Sequence, residues 1–348
     1  MYDVITIGTA TRDVFLSSPD FKVVRDPVHL EKLGFLNGEA TCLAFGGKLE
    51  VDTPVLTVGG GAANAATTFA RQGFRVASVV KVGEDENGAA VLDHMKKENI
   101  TPLPLFDAKA MTAFSVILLS PEGERTIMHY RGASQDMTKH EVPWDKLKSR
   151  WVYIVPGNIP TSVMSDMMSH FKANKVMVAM NLSRHYIELG EKKLKSILQN
   201  LAVVIMNREE AAEMTGLHYN QEAKIFKKFD EMVPGLCVMT DGAAGVLVSD
   251  GHKLFKAGVF PDKKVLDRTG AGDAFGSGFV AGLIRRTPVH DIERMDWKDD
   301  DIKYAIRLGS ANATATVEEI GAQEGLLTKS QFEGGKRWKS FAITSTSL

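Results

Sequence analysis

Short apolar runs alternate along most of the chain with longer segments of mixed polarity, and the lengths separate strands from helices. The runs at 4–7, 75–80, 151–155, 176–180, 202–206 and 237–240 read as buried strands, rich in Val, Ile and Met. Residues 61–73, the stretch from Gly88 to Asn99, and 161–174, 186–200 and 221–232 read as helices. Gly73 marks a helix end, where a residue without Cβ turns the chain cheaply. Regular alternation of strand and helix predicts an α/β fold, a central mostly parallel sheet flanked by helices on both faces.

Two stretches break that rhythm. From 15 to 58 the chain carries Pro19, Pro27, Gly34, Gly38, Gly46, Gly47 and Pro54, and no helix of useful length fits. Residues 112–119 and 124–130 read as two strands of a hairpin turning through 120–123. Together these predict one small β-sheet lid built from 14–58 and 103–132. The α/β core then comprises 1–13, 59–102 and 133–325. Residues 246–248 and 253–255 read as a hairpin at the sheet edge, and 326–348 form a tail with no assigned element, expected to be loosely ordered.

Composition narrows the class. In 348 residues, 42 Lys and Arg face 43 Asp and Glu, so no charge excess suggests nucleic acid or a membrane surface. Cys42 and Cys237 stand apart and outside any Cys-x-x-Cys pair, which argues against a disulfide framework or a zinc site. The nine His show no metal-ligand spacing. The first residues enter a strand pattern directly, and no run approaches the ~18 apolar residues of a membrane span. The expectation is a soluble, unexported, cytoplasmic protein.

The chemistry concentrates in one stretch, 267–279. Gly270, Ala271 and Gly272 lead into a helix, and their backbone N–H groups could converge on an anion that the helix dipole favours. Ala274, Gly278 and Gly282 recur every four residues, so this helix can lie against another backbone or a flat ligand. Asp273 conflicts with bound phosphate unless it faces an acceptor hydroxyl and takes its proton; otherwise it is an ordinary cap.

Other segments add weaker signals. Gly59, Gly60 and Gly61 open a helix whose Asn64 offers both a donor and an acceptor. Asn207 and Glu210 are either ligands around a magnesium–nucleotide complex or a capping pair. Thr240, Gly242 and Gly245 form a strand-to-turn segment that could admit a nucleotide. Asp13 is placed in the polar loop after the first strand, where ligands of α/β folds collect; otherwise it is an ordinary turn residue.

With these pieces in one chain and in this order, the sequence resembles the ribokinase-like PfkB carbohydrate kinases from about residue 1 to 323. The match rests on Asp267-x-Thr-Gly-Ala-Gly-Asp273, Gly59-Gly60 with Asn64, Asn207-x-x-Glu210, Thr240-x-Gly242-x-x-Gly245 and Gly321-Ala-Gln323. The resemblance implies an ATP-dependent transfer of the γ-phosphoryl group to a sugar or sugar-like hydroxyl. Asp273 would be the general base, and the amides of Gly270, Ala271 and Gly272 the anion hole. Asp13, Gly60, Gly61 and Asn64 would line the acceptor, and Asn207 and Glu210 would serve Mg2+ (Glu210 through water) and the phosphates. Thr240, Gly242 and Gly245 would line the nucleotide, with Ser310 or Asn312 on its adenine side. Asp267 and Thr269 match a monovalent-cation (K+) site.

Lys is common in ribokinases where Gly61 stands, which argues against ribose. Residues 181–187 are similar to a stretch of adenosine kinases, keeping a nucleoside acceptor in view. An enlarged lid with open edges suggests a homodimer. Two other readings compete: a sugar- or nucleotide-sensing module without chemistry, and a nicotinamide dehydrogenase. Intact Asp273 and its glycines weigh against the first; the absence of Gly-x-Gly-x-x-Gly after a strand weighs against the second.

Overall fold

The first strand, Tyr2–Gly8, runs down the middle of the molecule with Ser149–Val155 on one side and Val76–Gly83 on the other, all parallel. In the computed structural model, which describes residues 1–35, 38–120, 125–261, 263–286 and 297–348, it belongs to a ten-stranded sheet. One direction from it continues through Met177–Asn181, Val203–Asn207 and Leu236–Thr240, still parallel; the other ends at Ile100–Asp107. Strand order therefore reverses at Tyr2–Gly8, the arrangement that opens a crevice beyond strand C-termini in α/β sheets.

Alternating side chains feed two cores. Trp151 and Tyr153 pack on one face with Phe69 and Phe279, from helices Gly61–Arg71 and Ala271–Arg286. Val152 and Ile154 pack on the other with Met164, Phe171 and Leu194, from helices Thr161–Ala173 and Glu191–Leu198. A strand buried on both faces reads as a continuous apolar run, and these strands do.

The helix Ala271–Arg286 approaches Asp299–Thr316 as its small residues predict. A Cβ on Gly278 would lie 3.0 Å from Gly309 Cα, and one on Gly282 would lie 2.6 Å from Ala305 Cα. Backbone meets backbone there, so glycine is required at 282, and at 278 a Cβ would have to push the facing backbone aside.

The small sheet contains Val55–Gly59, Thr11–Ser17, Phe114–Leu119 and Arg125–Tyr130, in that order. Two stretches far apart in sequence thus share one sheet, as expected. A two-stranded piece, Lys22–Arg25 with Glu39–Cys42, stands beside it. The lid's own apolar core is small: Phe15, Ile117 and Leu119 against Ile320. The turn expected through 120–123 lies largely outside the described residues.

Several expectations change. Asp13 is not in a loop, because the second strand begins at Thr11, and it faces Ser115 across a parallel pair. Ile100–Asp107 was hidden by Pro102 and Pro104; both have the same parity on an edge strand, where an absent N–H costs no ladder bond. The core boundary drawn at 102 falls inside this strand. The helix read over 186–200 is two, Arg184–Leu189 and Glu191–Leu198, parted at Gly190 with φ +74°.

The tail is ordered. Ile343–Ser347 pairs with Lys253–Ala257 and takes the sheet edge that the 246–255 hairpin was expected to occupy. Phe341 stacks on Phe260 at 4.1 Å between ring centroids, Trp338 meets the same ring edge-on at 5.1 Å, and Arg337 pairs with Glu318 at 2.6 Å. Alternating Thr and Ser in 344–347, exposed at every position, hid a strand that carries no apolar alternation. Trp338→Ala should lower unfolding free energy by about 3 kcal/mol, read by urea denaturation, because it empties a packed ring site. A loosely ordered tail would give almost no change.

Candidate functional site

The last residues of three neighbouring strands, Asn181, Asn207 and Thr240, point the site out. They line a cavity of about 220 Å³ together with Glu210, Arg268, Gly270, Ala271, Gly272 and Asp273. A second cavity of about 480 Å³ adjoins it through Thr240, Arg268, Ala271 and Gly272, and is walled by Gly242, Gly245, Val259, Phe260, Phe275, Ser310 and Val317. The smaller is polar, and the larger is shaped by apolar side chains.

Two glycine-led helix starts face this region, and their amides differ. At Gly61–Arg71 the first N–H groups are already used. Gly61 N–H donates to the Thr9 hydroxyl at 3.1 Å, and those of Ala62 and Ala63 to the Thr9 carbonyl at 3.1 and 3.4 Å. At Ala271–Arg286 the N–H groups of Gly270, Gly272 and Asp273 have no acceptor among the described residues, and that of Ala271 reaches Arg268 carbonyl only at 3.4 Å. A helix N-terminus with open amides and a positive dipole end favours an anion. Gly270 has φ +76°, and a Cβ there would strike Ala322, so the chain turns in this way only with glycine.

Asp273 sits in the first turn, partly buried. Its Oδ2 accepts from Asn64 Nδ2 at 2.9 Å and its Oδ1 from Asn181 Nδ2 at 3.4 Å. Burial pushes its carboxyl above the ordinary range, against the Asn64 hydrogen bond that favours the charged form. The carboxylate lies on the wall of the small cavity, with the open amides of its own helix start beside it.

Asp13 is buried on the lid sheet. The Thr11 hydroxyl donates to its Oδ1 at 2.9 Å, and Ser115, which also donates to it, lies 3.1 Å from His129 Nδ1. Burial raises its carboxyl against these hydroxyls. Its Oδ2 presses on the Cα of Gly59, where no Cβ fits. Gly60, at φ +91°, lies against Thr9 and Ala10, and Gly61 against the Val155 side chain. Chain packing thus already requires these glycines, and neither Gly60 nor Gly61 lines either cavity.

Asn207 and Glu210 form a capping box. Glu210 N–H donates to Asn207 Oδ1 and Asn207 N–H to Glu210 Oε2, both at 2.8 Å. The pair still lines the small cavity, with Glu210 Oε1 and the Asn207 NH2 left over. Burial raises the Glu210 carboxyl, the Asn207 N–H bond opposes this, and Glu209 and Glu213 add to the rise. A cation arriving there would relieve it.

Gly242 and Gly245 take φ +50° and +98°, and Gly245 lies tight on the Ala257 carbonyl. The turn is stapled by Asp241, which accepts from Arg208 at 2.8 Å and from the Tyr219 hydroxyl at 2.7 Å. Ser310 lines the large cavity. Asn312 does not: its NH2 donates to Ala274 carbonyl at 2.9 Å and its Oδ1 accepts from Leu327 N–H at 2.9 Å. Asp267 is buried and accepts from Thr269 N–H and hydroxyl at 2.9 and 2.7 Å and from Gly321 N–H at 3.2 Å. It ties the glycine loop to the segment after Asp299–Thr316.

Sequence reasoning passed over Arg268, the one cation among the described residues lining either cavity, although it stands inside the strongest motif. It singled out Asn181 only within a longer stretch. The bonds of Thr9 and the link from Asn64 to Gln323 carry no local signal.

The chain is similar to several known proteins. The solved ribokinase of Giardia lamblia superposes with a TM-score of 0.77 at 19% identity, covering 96% of this chain and 99% of its own, a likeness of fold. A curated protein of Archaeoglobus fulgidus named as an uncharacterized sugar kinase is 25% identical over 261 residues, 74% of this chain and 97% of that one. The cytidine kinase of Thermococcus kodakarensis is 29% identical over 247 residues, 68% of this chain and 84% of its own. Residues 32–329, well over half of the chain, match the pattern of the pfkB family carbohydrate kinases, and the chain belongs to that family.

Proposed function

We propose that this phosphotransferase moves the γ-phosphoryl group of ATP to a hydroxymethyl oxygen of a sugar, a sugar acid or a nucleoside, with Asp273 as general base. The observation that carries the reading is the juxtaposition of open amides at Gly270, Gly272 and Asp273 with a carboxylate that Asn64 fixes. The acceptor O–H gives its proton to Asp273 as its oxygen attacks the γ-phosphorus, and the bond from that phosphorus to the bridging oxygen of ADP breaks. Charge on the transferring group meets the amides and the Arg268 guanidinium, which are in place beforehand.

The apolar walls of the large cavity suit a flat base, with Ser310 at its side; Asn312, committed inside the fold, is left out of this role. Mg2+ would suit the small cavity, where Glu210 Oε1 is a hard oxygen donor that would hold the ion through water, and the ion would screen phosphate charge. Asp267 and Thr269 fit K+ less well, because Asp267 already accepts three protein donors, so no step runs through that ion. Asp13 and its hydroxyl neighbours would read the acceptor as the lid covers it, excluding water. The small sheet exposes Leu56, Met128 and Tyr130 on one of its faces, an apolar surface that a second copy of the chain would cover.

Asp273→Asn should lower kcat by about three orders of magnitude with KM for ATP little changed. Because burial raises this carboxyl, it binds protons more readily folded than unfolded, so its charge costs stability as pH rises. The variant should therefore melt no lower than the parent at pH 7, and wild-type kcat should fall on the acid side at a pH above the ordinary Asp value of 3.8. Near-parental turnover in Asp273→Asn would remove it from the base role.

Arg268→Ala should cost about tenfold in kcat/KM for ATP, with Arg268→Lys recovering part of it. A coupled ADP-release screen over pentoses, hexoses, sugar acids and nucleosides tests the class itself. Binding without turnover for every acceptor would instead favour a sensing module.

A further inference from the structure

Asn64, which holds Asp273, is itself held. Its Oδ1 accepts from Gln323 Nε2 at 3.0 Å, and Gln323 Oε1 lies 2.7 Å from His94 Nε2 and 2.9 Å from the Thr67 hydroxyl. Asp273 comes from helix Ala271–Arg286, Asn64 and Thr67 from helix Gly61–Arg71, Gln323 from the segment after Asp299–Thr316, and His94 from helix Glu86–Lys97. Gln323 cannot drift, since Arg71 grips its carbonyl at 2.7 Å and its side chain is buried.

A side-chain amide has one donor end and one acceptor end, so such a chain has a direction. A charged Asp273 demands the NH2 of Asn64. Asn64 Oδ1 then demands the NH2 of Gln323, and Gln323 Oε1 demands a proton on His94 Nε2. The Thr67 hydroxyl, also 3.1 Å from Ala63 carbonyl, can serve either direction. Were Asp273 protonated and donating to Asn64, both buried amides would have to turn over and His94 Nε2 would have to accept.

We infer that Gln323 and His94 are positioning residues of this site: the chain His94–Gln323–Asn64 fixes the donor face of Asn64 toward Asp273 and so favours its charged, proton-accepting state. The inference rests on the kinase reading for its consequence in turnover, but the direction of the chain stands on geometry alone. Neither residue touches the reacting atoms. The charged and titratable groups around the chain are Glu98, one turn from His94 and paired to Arg71 at 2.6 Å, Tyr153, whose phenol burial keeps protonated beside Asp273, and Arg268 at the cavity wall.

Nitrogen-15 NMR of the histidines in the wild-type protein without substrate reads the direction directly. His94 should carry its proton on Nε2; a His94 tautomer with Nδ1–H and bare Nε2 would overturn the inference whatever the enzyme phosphorylates. Kinetics read the consequence. Gln323→Glu keeps the acceptor for His94 but presents no donor to Asn64, which should turn its oxygen toward Asp273. Its kcat at pH 7 should fall about tenfold or more, with the acid limb of kcat displaced to higher pH and KM for ATP held within about twofold.

His94→Leu should cost about threefold in kcat, and His94→Gln, which restores an N–H donor, should recover most of it. His94 is only half-buried, so this pair keeps the test decisive if Gln323→Glu fails to fold. Unchanged kcat and acid limb in Gln323→Glu, or equal kcat in His94→Leu and His94→Gln, would reduce the chain to ordinary packing.

Discussion

Open backbone amides and a carboxylate share one helix start, at Gly270, Gly272 and Asp273, and the rest of the molecule accommodates that conflict. The amides favour an anion, the carboxylate repels one, and they coexist only if the carboxylate is turned toward a third party. Asn64 does the turning from a neighbouring helix, whose own amides are saturated by Thr9. The contrast between the two helix starts is that only one of them leaves its amides open to an anion. Glycine content alone would not have distinguished them.

Holding that helix start in place requires unusually close packing. Gly278 and Gly282 bring Ala271–Arg286 onto the backbone of Asp299–Thr316, and the same interface carries Asn312 between Ala274 and Leu327. Asn312 therefore connects helix Ala271–Arg286 to the chain leading into the tail. The loop is pinned again by Asp267 on Gly321. A partly buried Asp273 costs stability when charged, and this rigid surround is what makes the cost sustainable.

The lid is bound more loosely. Its apolar core is three residues against Ile320, while Asp13 is buried with hydroxyl neighbours for company. An element with so small an apolar core belongs to the low-stability end of a fold. The tail does the opposite: Trp338 and Phe341 on Phe260, and a last strand over Lys253–Ala257, close a sheet edge that would otherwise stay unpaired.

The α/β alternation, the small sheet built from two distant stretches, the glycine-rich helix start and the place of Asp273 in it were legible in the chain, because each is written in local periodicity or in residue types with few conformational alternatives. Only the tertiary structure decided that Asp13 sits in a strand, that Ile100–Asp107 tolerates two prolines at an edge, that 343–347 is a strand, and that Asn312 faces inward while Ser310 faces the cavity. It also decided that Asn64 answers to Gln323 and His94. Hydrogen-bond direction, edge position and the facing of a side chain depend on partners tens to hundreds of residues away, and no local pattern in the chain encodes them.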